Sequence, residues 1–396
     1  MYLKTIKSSV YQNIRCYSIQ KKNINKIWIL SDGIQGNENR SMALANTFNA
    51  STEINYIKTK PILNSFPMFL KRYLVDWIKY NKNNQFIDKL PFYLENTNNI
   101  KLNISNQPDL VISSGIDTVL PSLFLRKVLG PATFFTHIGY PNLPFKNFDG
   151  VILMKHELLK LAHLGPALSQ QKNRMTIPLA LNNIRNELKL EYTQITKYLD
   201  QRFIDKKENS PIVAFLMGDI PANFSFLNQH AVELAESIEL LVKKFNARIL
   251  ITHSKRSPDF VKLHLKTKLQ KLITDGYPIY SWEDEKDGKN PYTSILSTAT
   301  HFVVPAGSVN LISEAITTRK PVYLVGIDRC KNELATLSQR LIYERYARAY
   351  RVSKNYKSPG DPLSYIGEHP PFNCFDQDIP SLAKQQLMEL INEKYT

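Results

Sequence analysis

Cysteine is scarce in this 396-residue chain: Cys16, Cys330 and Cys374 lie far apart, with no CxxC pair and no histidine at ligand spacing. That pattern argues against a disulfide framework or a zinc site. No apolar run approaches about 18 residues, so the sequence offers no membrane-spanning helix. Signatures of the Gly-x-Ser-x-Gly, His-Glu-x-x-His, kinase and calcium-loop types are missing, and no glycine turn runs into Gly-Lys-Ser/Thr. Nothing points to a resident metal or cofactor. Acidic residues are absent from the first 31 positions, which carry Lys4, Lys7, Arg15, Lys21, Lys22 and Lys26. This basic, serine-bearing leader lacks the apolar core of a secretory signal and reads as a mitochondrial transit peptide over residues 1–20. A basic tail without an address is the alternative.

What is present is enough apolar material for two cores: hydrophobic residues make up 43% and aromatics 11%. The formal charge of +16 is spread along the chain, without an arginine-rich run or a nucleic-acid motif. It suits an anionic small molecule or an anionic membrane face, and no nucleic-acid partner is expected.

Strand-like runs alternate with helical patterns, which predicts α/β architecture: two Rossmann-like domains facing a cleft, in the manner of a GT-B fold. The expected limits are 21–183 and 211–350, with a connector over 184–210. A tail over 351–396 ends in a helix able to cross back. First-half strands are expected at 26–30, 53–57, 109–113, 132–136 and 150–153, and a loop or a variable insertion over 81–107. Second-half strands are expected at 212–216, 248–252, 278–280, 301–304 and 321–325.

The apolar run Ile27-Trp28-Ile29-Leu30 leads into Ser31-Asp32-Gly33-Ile34-Gln35-Gly36-Asn37-Glu38-Asn39-Arg40, and helical spacing follows from Met42. Strand, glycine turn and helix suggest an anion site, since Gly33 and Gly36 can take positive φ and a helix start offers unpaired N–H groups. Asp32, Asn37 and Asn39 belong to the same corner. An ordinary βα turn fits equally well. A second corner, Pro305-Ala306-Gly307-Ser308-Val309-Asn310, opens a helix that carries Glu314. Ser308 suits the N-cap, and Asn310 and Glu314 would face a ligand. Gly218 ends the strand at 212–216, with Asp219 needing a cationic partner there. Lys255 and Arg256 could neutralise a diphosphate or simply be solvated. His137, at a strand end, is the candidate general base, with a structural histidine as the alternative. Residues 67–80 gather Phe69, Leu70, Tyr73, Leu74, Trp77 and Ile78 beside Lys71, Arg72 and Lys79. That segment reads either as a core helix or as a peripheral membrane contact.

The pieces Ser31–Asn39, Pro108-Asp109-Leu110-Val111-Ile112-Ser113-Ser114-Gly115, Thr252-His253-Ser254-Lys255-Arg256-Ser257-Pro258, Asn290-Pro291-Tyr292, the run from Ser308 to Ala315 and Lys320-Pro321-Val322-Tyr323 occur in order. Together they resemble the elongated-mitochondria fission-protein family, which has plant and bacterial members and a GT-B-like fold. The resemblance implies one of three roles. The first is a part in mitochondrial morphology, with a dynamin-like GTPase as partner only where the protein is exposed to the cytosol. The second is glycosyl transfer from a nucleotide-sugar held in the cleft. The third is a degenerate, non-catalytic GT-B scaffold. The leader favours the mitochondrial matrix or inner-membrane periphery, with the outer surface as the alternative.

Overall fold

The computed structural model describes residues 22–395 apart from 64, 78–85, 88–89, 97–101, 104–105, 169–170, 190–202, 204–209 and 351–371. The proposed leader and most of the proposed connector therefore lie outside the described residues.

The first half runs β1 (Lys26–Ser31), α1 (Gln35–Ala45), β2 (Ser51–Thr59), α2 (Met68–Trp77), β3 (Phe86–Ile87), β4 (Leu94–Asn96), β5 (Leu102–Asn103) and β6 (Leu110–Ser114). It continues with α3 (Val119–Leu129), β7 (Phe134–Ile138), β8 (Gly150–Met154), β9 (Arg174–Ile177) and α4 (Ile184–Glu187). Seven strands form one sheet in the order β4-β2-β1-β6-β7-β8-β9, with only β4 antiparallel. β6, β7 and β8 are buried along their whole length, as parallel strands covered on both faces must be. One face packs Trp28, Leu30 and Val111 against α2 and α3; the other packs Ile27, Ile29 and Ile112 against α1.

The second half runs β10 (Ile212–Met217), α5 (Asn228–Phe245), β11 (Arg248–His253), α6 (Asp259–Thr274), β12 (Ile279–Trp282) and α7 (Tyr292–Thr298). Then come β13 (His301–Pro305), α8 (Val309–Thr317), β14 (Val322–Val325), α9 (Asn332–Tyr343) and β15 (Arg348–Tyr350). Its six-stranded sheet, β12-β11-β10-β13-β14-β15, is parallel throughout. This is the doubly wound order, and the side on which successive strands are added switches between β10 and β13. In the first sheet the switch falls between β1 and β6.

The last helix, α10 (Ile379–Tyr395), crosses back onto the first lobe as expected. Ile379, Ala383, Leu387 and Ile391, four residues apart, make one stripe buried against β8, β9 and α1. Polar ends pin it: Lys384 Nζ donates to the Thr47 carbonyl at 2.6 Å, and Lys394 pairs with Asp149 at 3.0 Å.

Two departures stand out. The region 81–107, expected to be a loop or a variable insertion, supplies β4 and the small β3–β5 ribbon. β9 and β15 extend the two sheets by one strand each beyond the expected sets. β9 is only alternately buried and β15 is three residues long, so neither has the continuous apolar run of the inner strands.

Candidate functional site

Crossover points of parallel sheets leave a crevice at the carboxyl ends of the strands. Here the two crevices face each other. Gly36, in the first turn of α1, lies against α8: a Cβ built on it would come within 2.4 Å of Asn310 Nδ2. Gly36 therefore serves by letting a side chain approach, and only Gly33 takes the expected positive φ, at +81°. One turn beyond Gly36, Arg40 reaches across the lobes, donating from Nε and Nη2 to Asn310 Oδ1 at 2.9 and 2.7 Å. Burial lowers the affinity of this guanidinium for its proton, and Glu157 and Glu314 oppose that effect. Asn310 is thus a latch between lobes, not a free ligand group.

The first corner is organised by its own side chains. Asp32 accepts the Ile34 N–H at 2.9 Å and the Asn37 amide at 2.8 Å, while Glu38 accepts the Ser31 hydroxyl at 2.7 Å. Asn39 is exposed. Gly115, after β6, closes the corner from below with φ +91° and ψ 155°, and a Cβ there would sit 2.3 Å from Asn37 Nδ2. Carboxylates thus already stand at the start of α1, where the helix dipole favours negative charge. The first N–H groups of α1 receive no side-chain cap, but a phosphate there would meet Asp32.

The second corner differs in charge: the first turn of α8 carries no acidic residue. Ser308 occupies the N-cap position of α8 as expected, and its side chain makes no capping hydrogen bond. The first N–H groups of α8 have no intrahelical acceptor by construction. Gly218, at the end of β10, packs so closely that a Cβ would lie 2.6 Å from Ser308 Oγ. Beside it Arg256 Nη1 pairs with Asp219 at 2.9 Å, which supplies the cationic partner Asp219 required. Lys255 is exposed on the same turn. Ser257 holds that turn in place by donating to the Met217 carbonyl at 2.7 Å. Glu314 lies deeper on α8, where the Tyr292 hydroxyl donates to its Oε2. Burial pushes the Glu314 carboxyl up to about 7, against the pull of the Tyr292 hydrogen bond and Arg40.

His137 does not reach this cleft. It is 1% exposed within β7, its Nδ1 is 2.8 Å from the Ser113 hydroxyl, and its ring lies against Phe148. Burial drives its pKa down to about 3. It is a neutral core imidazole, and the general-base assignment is withdrawn. Conversely, Arg40 and Tyr292 join the site although no sequence signature marks them as binding residues. Arg40 could have been found from its spacing, since positions i and i+4 share a helix face and Gly36 is at i.

These contacts make Gly115 a structural test of the first corner. Its φ and ψ fall in a region that is essentially glycine-only, where another residue costs about 1–3 kcal/mol. Gly115→Ala is expected to lower unfolding stability by that amount in urea titration, with Asn37 displaced from Asp32.

Two facing doubly wound lobes, with a last helix crossing back, define a GT-B-like protein. The UDP-GlcNAc 2-epimerase of Methanocaldococcus jannaschii shares this fold, with a TM-score of 0.53 at 10% identity over 92% of this chain and 99% of that one. The chain belongs to the mitochondrial fission ELM1 family, whose model matches residues 35–367. It is 24% identical to the Mitochondrial fission protein ELM1 of Arabidopsis thaliana, covering 88% of each chain. It is also 24% identical to the uncharacterized protein RP120 of Rickettsia prowazekii, over 83% of this chain and 91% of that one.

Proposed function

We propose that the protein serves mitochondrial morphology as a GT-B-like scaffold whose cleft takes a nucleoside diphosphate or its sugar ester. The observation that carries this reading is the second corner. There an uncapped helix start and an uncommitted Ser308 hydroxyl lie over Gly218, with Lys255 and Arg256 alongside. The name of the Arabidopsis relative supports the organelle role, and that of the archaeal epimerase supports the ligand class. On this reading the protein resides in mitochondria, inside or at the inner-membrane periphery. A cytosolic dynamin-like GTPase is a partner only if it sits on the outer surface, and protease protection in intact organelles separates the two.

Thermal denaturation with UDP, UDP-sugars and GDP-sugars tests the ligand. A donor present at roughly 100 times its Kd adds about 2.7 kcal/mol of stability. Arg256→Ala is expected to weaken that response, and absence of a shift with every donor would leave a ligand-free scaffold.

Glycosyl transfer is the second reading. It is favoured by the Glu314 carboxyl, whose raised pKa of about 7 suits proton transfer near neutrality. Hydrolysis or transfer of a donor sugar, lost in Glu314→Gln with binding retained, would support it.

A further inference from the structure

Helix α2 has two apolar faces, and only one of them is used by the fold. Met68, Lys71 and Val75 are buried, within an arc of about 60° at the helical repeat. Phe69, Leu70, Tyr73 and Trp77 fall in a separate arc of about 100° and point outward. Together with Phe66 in the preceding turn, they are between 44% and 80% exposed. Ile62, just upstream, is exposed as well. Scattered exposed apolar residues are ordinary, but a continuous aromatic stripe on one helix is an interaction surface.

The charge around the stripe selects its partner. Among the described residues from 58 to 77, Lys58, Lys60 and Arg72 lie outside the core, Lys71 sits on the buried face, and Asp76 is the one acid. A second copy would bring together two chains of formal charge +16. An anionic bilayer offers the opposite sign, and tryptophan and tyrosine partition to the headgroup level with ring buried and polar tip wet. No described helix is long and apolar enough to cross a membrane, so contact through α2 would be peripheral.

We propose that the outward face of α2 docks this protein on an anionic lipid surface, with the helix lying in the headgroup plane. The start of α2 lies on the cleft side of the first lobe, since it follows the carboxyl end of β2, and the buried Lys71 on its inner face acts on Asp117 alongside Asp32. Docking there would hold the rim of the cleft at the bilayer. The proposal is independent of which ligand the cleft takes.

The full chain carries its own reporter. Of its three tryptophans, Trp28 and Trp282 are 1% and 5% exposed, whereas Trp77 is 80% exposed. Adding phosphatidylcholine vesicles doped with phosphatidylglycerol should co-sediment the protein and shift Trp77 fluorescence to the blue. Both effects should weaken with salt and be absent with phosphatidylcholine alone. Phe69→Ser/Tyr73→Ser keeps Trp77 and alters only exposed side chains, so folding, checked by circular dichroism, should be unchanged. Vesicle affinity should fall at least about tenfold, the loss expected for one buried aromatic side chain. Three results would overturn the proposal: no vesicle binding, binding undiminished in the double variant, or a stripe whose loss only abolishes self-association in light scattering.

Discussion

Replacing Arg40 by methionine is expected to cost about 3 kcal/mol of unfolding free energy, with a loss that deepens as pH rises. Two effects set the size. Asn310 loses both hydrogen bonds that join the lobes at 2.9 and 2.7 Å, and Glu157 and Glu314 lose a nearby cation. Removing one member of a buried charged group costs about 3–5 kcal/mol when the remaining charge stays uncompensated. The lower end applies because Glu314, already near 7, can take up a proton instead. The pH dependence follows from linkage. In the variant the folded-state pKa of Glu314 rises further above its unfolded value. The unfolded chain then releases its proton first, and stability is lost as pH climbs through that interval. Urea titrations at about pH 6 and about pH 8 should show a larger wild-type advantage at the higher pH. A difference independent of pH would mean that Arg40 does not act on Glu314.

Acid sensitivity supplies the second large effect. His137 is neutral in the folded protein with a pKa near 3, because burial disfavours the imidazolium, while the unfolded value is near 6.5. Its folded-state pKa is depressed, so the unfolded chain binds the proton first. The stabilising contribution is complete above pH 6.5 and drains away as pH falls toward 3. The full loss is up to about 5 kcal/mol. His137→Asn can still bond the Ser113 hydroxyl but cannot be protonated in this range. Its stability should therefore fall less steeply between about pH 6.5 and about pH 4 than that of the wild type. Parallel acid limbs would indicate that the imidazole is already charged in the folded state.

How much of this could be read beforehand depends on the kind of signal. The inner strands β1, β6, β8, β10 and β13 announce themselves as apolar runs, because parallel strands covered on both faces leave no polar alternation. β4 and the β3–β5 ribbon lie in an asparagine- and lysine-rich stretch and owe their strand state to pairing partners distant in sequence. The glycine corners were visible as residue types, but their division of labour was not. Gly33 turns on φ, whereas Gly36 turns on how near Asn310 comes, a fact about the other lobe. The same limit explains His137. A histidine near a strand end reads alike whether its ring enters the cleft or the core, and the packing against Phe148 decides it. Asp32 and Asn37 were recognised as a corner, and only the hydrogen bonds show that they serve the loop itself.

The most direct test of the second-corner site is amide hydrogen exchange with and without saturating UDP. Protection is predicted at residues 217–219, 254–257 and 307–311, with no gain at 32–37, where the Asp32 carboxylate would repel a phosphate. Protection centred on 32–37, or none anywhere, would contradict it.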